Sequence, residues 1–177
     1  MMIKEIAFLT NKIKGSHKTI ILIGFMGSGK STLGKELSNI LALPFCETDS
    51  QVEKNTGISI SQIFELKGED YFRGYEREVL LSIPKSSVIS TGGGIVEDYE
   101  NRQFLKGITN IVIWLDLDWE VILRRIEYTD RPKVVALNPQ KLHELWFKRR
   151  PLYQECADIT YRGNSVAELI DLIGSIF

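Results

Sequence analysis

A parallel α/β sandwich, in which helices cover a sheet of parallel strands, is the fold this chain predicts. Three observations carry the expectation. Short β-rich apolar runs alternate along the sequence with segments of helical period. The run Thr19–Ile23 is almost unbroken in β-branched residues, as a strand buried on both faces would be. A glycine-rich turn then leads straight into Leu33, Leu37, Ile40 and Leu41 at helical spacing, so strand, loop and helix form one unit.

Residues 1–18 come first. Ile3, Ile6, Leu9 and Ile13 fall at roughly helical spacing among Lys4, Lys12, Lys14 and Lys18, which makes this an amphipathic N-terminal extension. It is either a packed turn or a partly ordered leader, and the looser state is expected because termini order only when docked. A single domain is expected over 19–177. Within it, 44–47 is a short second strand, and Ile60, Ile63, Phe64 and Leu66 followed by Phe72, Glu76, Val79 and Leu80 predict two helices separated by Gly68. Residues 87–90 are strandlike and run into Gly92-Gly93-Gly94. Asn110–Leu115 is the clearest later strand, with a helix over 118–127 after it. The stretch 128–137 lacks a period and holds Asp130-Arg131-Pro132, which predicts a loop and a lid candidate. Asn138 and Pro139 then supply a cap residue and a first-position proline for a helix through Leu142, Leu145 and Trp146 that should stop before Pro151. A strand at 157–161 follows. The last helix carries Val166, Leu169, Ile170, Ile173 and Phe177 as its apolar stripe, and Ser165 with Glu168 has capping-box spacing.

The 177 residues suit one domain at roughly 100–200 residues each, and 44% hydrophobic with 25% charged residues excludes a disordered or fibrous chain. Twenty-two Lys+Arg against 23 Asp+Glu leave a net charge of -1, so no bulk basic field exists to hold nucleic acid and any cationic site must be local. Cys46 and Cys156 have no metal or redox spacing and cannot build a disulfide framework, so a reducing cytoplasm is expected. His17 and His143 likewise lack metal-like spacing. No apolar run approaches the length of a membrane span or a signal core, and neither a membrane nor a nucleic-acid partner is expected.

The turn after the first strand, Gly24-Phe25-Met26-Gly27-Ser28-Gly29-Lys30-Ser31, matches the phosphate-loop pattern G-x-x-x-x-G-K-[ST]. Glycines let backbone N–H groups close around phosphate oxygens, and the following helix adds its N-terminal dipole. Lys30, read as an exposed loop lysine, reaches the terminal phosphates, and Ser31 can bind Mg²⁺. Such a loop implies a nucleoside triphosphate and leaves the acceptor open. The strand at 87–90 ends in glycines instead of an acidic residue, so carboxylates for the metal must come from Glu47-Thr48-Asp49. In extended chain Glu47 and Asp49 face the same way. The competing assignment makes Asp49 or Ser50 a helix cap.

Taken together, the ordered motifs resemble those of the shikimate kinase family. They are Gly24 to Thr32 (GFMGSGKST), Glu47 and Asp49, Ile63-Phe64 with Phe72-Arg73 and Glu76, Gly92-Gly93-Gly94, Arg131-Pro132, and Arg149-Arg150-Pro151-Leu152-Tyr153. The resemblance spans about 19 to 161. It implies a three-layer, nucleoside-monophosphate-kinase-like P-loop fold with a five-stranded parallel sheet, helices on both faces and a lid at about 128–137. It also implies transfer of the ATP γ-phosphoryl group to the 3-hydroxyl of shikimate, with ATP and Mg²⁺ as cofactors; separately, a monomer is expected. Gly27, Ser28, Gly29, Lys30, Ser31 and Thr32 would bind the nucleotide, and Ser31 and, through water, Glu47 would bind the metal. Asp49 would orient or deprotonate the acceptor, Arg73 and Arg149 would clamp its carboxylate, and Gly93 and Gly94 would allow close contact. Phe64 and Phe72 would wall the pocket, and Arg131 would meet the transferring phosphate. The clamp has chemical sense, because arginine offers a planar bidentate fork that lysine lacks.

This chain departs from the family pattern at Glu47, where aspartate is usual, at Lys133, where leucine usually follows the Arg-Pro, and in its extension 1–18. Either Arg124 or Arg125 could supply the nucleotide-contacting arginine before the lid. Two other readings share the phosphate loop: a kinase for a sugar acid or nucleoside monophosphate, and a nucleotide-binding regulatory module without turnover.

Overall fold

The computed structural model describes residues 3–127 and 138–177. The lid assigned to 128–137, with Arg131 and Lys133, lies outside them. Five parallel strands, β1 (Thr19–Ile23), β2 (Phe45–Glu47), β3 (Val88–Ser90), β4 (Asn110–Leu115) and β5 (Ile159–Tyr161), stand in the order β2-β3-β1-β4-β5. Interleaved with them are the helices α1 (Ile3–Gly15), α2 (Lys30–Ile40), α3 (Thr48–Thr56), α4 (Ile60–Lys67), α5 (Glu69–Ser82), α6 (Tyr99–Leu105), α7 (Trp119–Glu127), α8 (Pro139–Cys156) and α9 (Val166–Gly174).

The central strand divides two cores by the twofold alternation of its side chains. Ile20 and Leu22 pack with Leu33 and Leu37 of α2 and with Ile170 and Ile173 of α9, whereas Ile21 and Ile23 pack with Leu80 of α5, Leu105 of α6 and Tyr153 of α8. All five residues of β1 are buried, which is why that run carries no polar alternation. A smaller cluster of Val52, Ile63, Phe72 and Val79 ties α3, α4 and α5 into a separate lobe beside the sheet. Another, Phe25 with Ile122, Ile126 and Leu142, packs α7 and α8 against the phosphate loop.

Three local expectations meet a different outcome. The extension contains α1, whose Leu9 and Ile13 are buried with Leu37, Leu41 and Ile170, and Lys12 Nζ donates to the Phe177 carbonyl at 2.9 Å. The segment is docked, and it is tied to the other end of the chain. Second, α8 does not stop before Pro151 but runs through it to Cys156. An interior proline forfeits one helix hydrogen bond and costs about 3 kcal/mol; burial of Tyr153 and Cys156 against Trp114 and the second core offsets that cost. Third, the capping box at Ser165 is half formed, because the Glu168 carboxylate accepts from the Tyr161 hydroxyl at 3.0 Å while only the Ser165 side chain accepts from its backbone. A complete box stands at Ser59 and Gln62. The Asn138 cap is as expected, its side chain accepting from Gln140 N at 2.9 Å. Among the described residues no helix is long and apolar enough to cross a membrane.

Candidate active site

Parallel strands bring their C-terminal ends to one edge, and in open α/β sheets ligands bind in the crevice beyond that edge. Here β1 delivers the phosphate loop, β2 delivers Glu47-Thr48-Asp49 and β3 delivers Thr91 and the glycine triplet. One cavity of about 1160 Å³ is lined by the loop from Met26 to Thr32 and by Glu47, Asp49, Arg73, Gly93 and Arg149, among others.

The loop is held open by strained backbone only glycine tolerates well: Gly27 and Gly29 have φ of 77° and 95°, and Gly29 immediately precedes α2. Lys30 is buried, contrary to the exposed position its place in a loop suggested. Its ammonium donates to the carbonyls of Gly24 at 2.8 Å and Phe25 at 2.9 Å and to Ser28 Oγ at 3.3 Å, so it braces the loop from inside. Ser31 Oγ donates to Glu47 Oε1, and Ser50 Oγ donates to Glu47 Oε2 at 3.3 Å. A hydroxyl and a carboxylate thus converge at the foot of the loop, a hard oxygen pair of the kind Mg²⁺ takes together with nucleotide phosphates. Among the described residues no group of three or more His, Cys, Asp or Glu side chains is placed to hold a metal alone.

Neither Asp49 nor Ser50 caps α3, which begins at Thr48 with Glu47 before it and no side-chain cap. Thr48, fully buried, instead accepts from Gly92 N at 2.9 Å and locks the β2 end to the glycine triplet. That bond was not foreseen, although a threonine between two acids was its signal. It brings Asp49 so close to Gly92 that a Cβ there would lie 2.5 Å from Asp49 Oδ1, and one at Gly94 would lie 2.5 Å from Arg73 Nη2. Gly92 and Gly94 therefore leave the space in which the Asp49 and Arg73 side chains stand. Gly93 accepts from the Tyr153 hydroxyl through its carbonyl.

Arg73 and Arg149, on α5 and α8, meet in the same cavity. Arg73 Nη1 donates to Glu76 Oε2 at 2.8 Å, and its Nη2 donates to Glu69 Oε1 and to Glu97 Oε2, both at 2.9 Å. Arg149 Nη2 donates to the same Glu97 oxygen at 2.7 Å. Burial pushes the Glu97 carboxyl up, but the Arg149 hydrogen bond and the charges of both arginines reverse this and hold it below its ordinary value. Glu76 goes the other way. It is 1% exposed, and burial outweighs the paired Arg73 guanidinium, so its pKa rises from 4.5 to about 7, with the nearby Asp49 charge adding to the rise. Glu97 is a site residue that the sequence did not reveal, since nothing local marks it. Phe64 and Phe72 pack with ring centroids 4.9 Å apart and planes tilted by 36° on the lobe side of the cavity.

Of the two candidate arginines on α7, Arg125 Nη1 donates to the carbonyls of Gly27 at 3.3 Å and Ser28 at 3.2 Å, whereas Arg124 Nε turns back to the Glu120 carbonyl of its own helix. The sequence left the two open, and of them Arg125 is the one in contact with the phosphate loop. Arg131 lies outside the described residues.

Residues 26–173 match the family described as shikimate kinase. A shikimate kinase of Persephonella marina is 38% identical over 164 residues, which cover 90% of this chain and 99% of that protein. A bifunctional shikimate kinase/3-dehydroquinate synthase of Thermotoga maritima is 39% identical over 77% of this chain, and the match spans 27% of that longer protein. Among solved structures, the shikimate kinase from Acinetobacter baumannii in complex with shikimate is 39% identical and superposes with a TM-score of 0.80 over 90% of this chain and 92% of that one.

Proposed function

The chain belongs to the shikimate kinase family, and from that premise we propose that it transfers the γ-phosphoryl group of ATP to the 3-hydroxyl of shikimate, a step toward chorismate and the aromatic amino acids. One observation carries the reading. A single cavity joins the phosphate loop to Asp49, Arg73, Gly93 and Arg149, so a triphosphate at one end and a small hydroxylated acid at the other can be held in contact.

Phosphoryl transfer leaves little covalent chemistry to the protein, and catalysis is positioning plus charge stabilisation. Backbone N–H groups of Gly27 to Thr32 and the Lys30 ammonium hold the phosphates; Lys30 exchanges its loop carbonyls for phosphate oxygens. Arg125, already on the loop, takes the nucleotide-contacting role ahead of Arg124. Ser31 and Glu47 are the residues to hold Mg²⁺, Glu47 through water; when bound, the ion neutralises charge on the phosphates. Glu47 in place of aspartate fits that role because a water can absorb the extra methylene. Asp49 orients the acceptor hydroxyl and takes its proton. Arg73 and Arg149 fix the substrate carboxylate, and Phe64 and Phe72 wall the ring. Arg131 is assigned to the transferring phosphate by family resemblance. Residues 19–177, with α1 docked on them, act as one kinase domain.

An ADP-release assay with shikimate, gluconate and nucleoside monophosphates as acceptors tests this. Turnover with shikimate far above the others is expected, and preference for either alternative acceptor would overturn the assignment.

A further inference from the structure

Glu97 has no part in the chemistry above, yet its Oε2 accepts from Arg149 Nη2 at 2.7 Å and from Arg73 Nη2 at 2.9 Å. Those are the guanidiniums assigned to the substrate carboxylate, and a role for Glu97 toward substrate rests on that assignment. We propose that Glu97 is an internal carboxylate that competes with the substrate for the two-arginine fork, and that its swing away from the fork gates acceptor binding.

Three features support the exchange. The first is identity of donors: one carboxylate oxygen already takes an N–H group from each of the two guanidiniums assigned to an incoming carboxylate. The second is charge. Glu69, Glu76 and Glu97 surround Arg73, and Glu97 also holds Arg149, so even with Glu76 protonated two carboxylates face two guanidiniums. A further anion finds no surplus positive charge until one of them leaves, and like charges in a partly buried cleft repel strongly.

The third feature identifies the one that leaves. Glu76 is buried, and Glu69 sits one turn along the same helix as Arg73. Glu69, 60% exposed, holds Arg73 alone, whereas Glu97 holds both arginines and its side chain, 24% exposed against 1% for Glu76, has a path outward, so only its release frees the two guanidiniums together. Its backbone need not move. Glu97 N donates to the Gly94 carbonyl at 2.9 Å, and Arg102 Nη1 donates to the Val96 and Glu97 carbonyls at 2.7 and 3.1 Å, so a side-chain rotation suffices. Once Glu97 has gone the fork keeps its shape. Arg73 is still held by Glu69 and Glu76, and Arg149 is buried with its guanidinium over the Phe25 ring at 5.8 Å.

A closed fork reduces apparent affinity by the fraction of molecules in which it is open. The test uses the full chain and Glu97→Gln, with shikimate and its neutral methyl ester titrated by calorimetry and ATP as a control. The substituted glutamine keeps the shape and removes the charge. The shikimate Kd should fall about three- to tenfold, with the ester and ATP unchanged. A shikimate Kd that is unchanged or higher in the variant, or an equal gain for the ester, overturns the gate; a higher value would make Glu97 a positioning residue for the fork. A wild type that turns over a different acceptor and fails to bind shikimate overturns the functional assignment and the gate with it, whereas normal shikimate turnover without the gain in Glu97→Gln overturns the gate alone.

Discussion

Replacing Glu76 by glutamine should flatten the dependence of folding stability on pH between about 4.5 and 7. In the folded protein the carboxyl is pushed up to about 7 because burial outweighs its pairing with Arg73. The unfolded chain exposes it to water, where it titrates near 4.5. Below that value both states hold the proton and the group has no pH-dependent effect. Between 4.5 and 7 the unfolded chain releases the proton and the folded chain keeps it, so stability falls as pH rises, by about 1.4 kcal/mol per pH unit. Above 7 both states are ionised and the full penalty, roughly 3 kcal/mol, is in place. Against a total of about 5–15 kcal/mol for a typical domain, that is large enough to measure. Glutamine keeps an acceptor for Arg73 Nη1 and cannot ionise. Urea unfolding of both proteins at half-unit steps from about pH 4 to 8 gives two profiles, and their difference isolates the group. The wild-type midpoint should drop relative to Glu76→Gln across the window, and profiles that run parallel would refute the argument that burial controls this carboxyl.

Four further outcomes follow from the site. Lys30→Ala should lower turnover by about a hundredfold or more, measured by coupled ADP release, and because Lys30 braces two loop carbonyls it should also lower the melting temperature; near-native turnover would remove its phosphate role. Arg149→Lys should raise the shikimate KM roughly tenfold while leaving ATP affinity close to wild type, since a point charge cannot reproduce a fork; equal losses for both ligands would indicate a structural role. Asp49→Asn should depress kcat more than Glu47→Gln, and only the latter should be partly relieved by added Mg²⁺, which a titration of turnover against Mg²⁺ concentration reads directly. Tyr153→Phe removes the hydroxyl that donates to the Gly93 carbonyl and should cost about 1 kcal/mol of stability by urea unfolding.

The parts of this protein legible in its sequence are those dictated by neighbours in the chain. The fully buried β1 run, the Asn138-Pro139 helix start and the phosphate loop all follow from backbone constraints acting over a few residues, and each stands where the spacing puts it. The motif order also named Asp49, Arg73, Gly93 and Arg149 for one site, and the cavity contains all four. What tertiary structure alone decided depends on packing between segments far apart in the chain. Adjacent arginines on α7 differ in their contacts because the helix face turns Arg125 to the loop and Arg124 back along its own backbone. Pro151 stays inside a helix because Tyr153 and Cys156 are buried beyond it. The α1 stripe became core because α2 and α9 offered an apolar face to dock on. Burial raises Glu76 while two converging arginines lower Glu97, and the two carboxyls are opposite in behaviour although no local pattern separates them. A carboxylate's desolvation and partners are set by what the fold places around it, and that information is absent from the residues on either side.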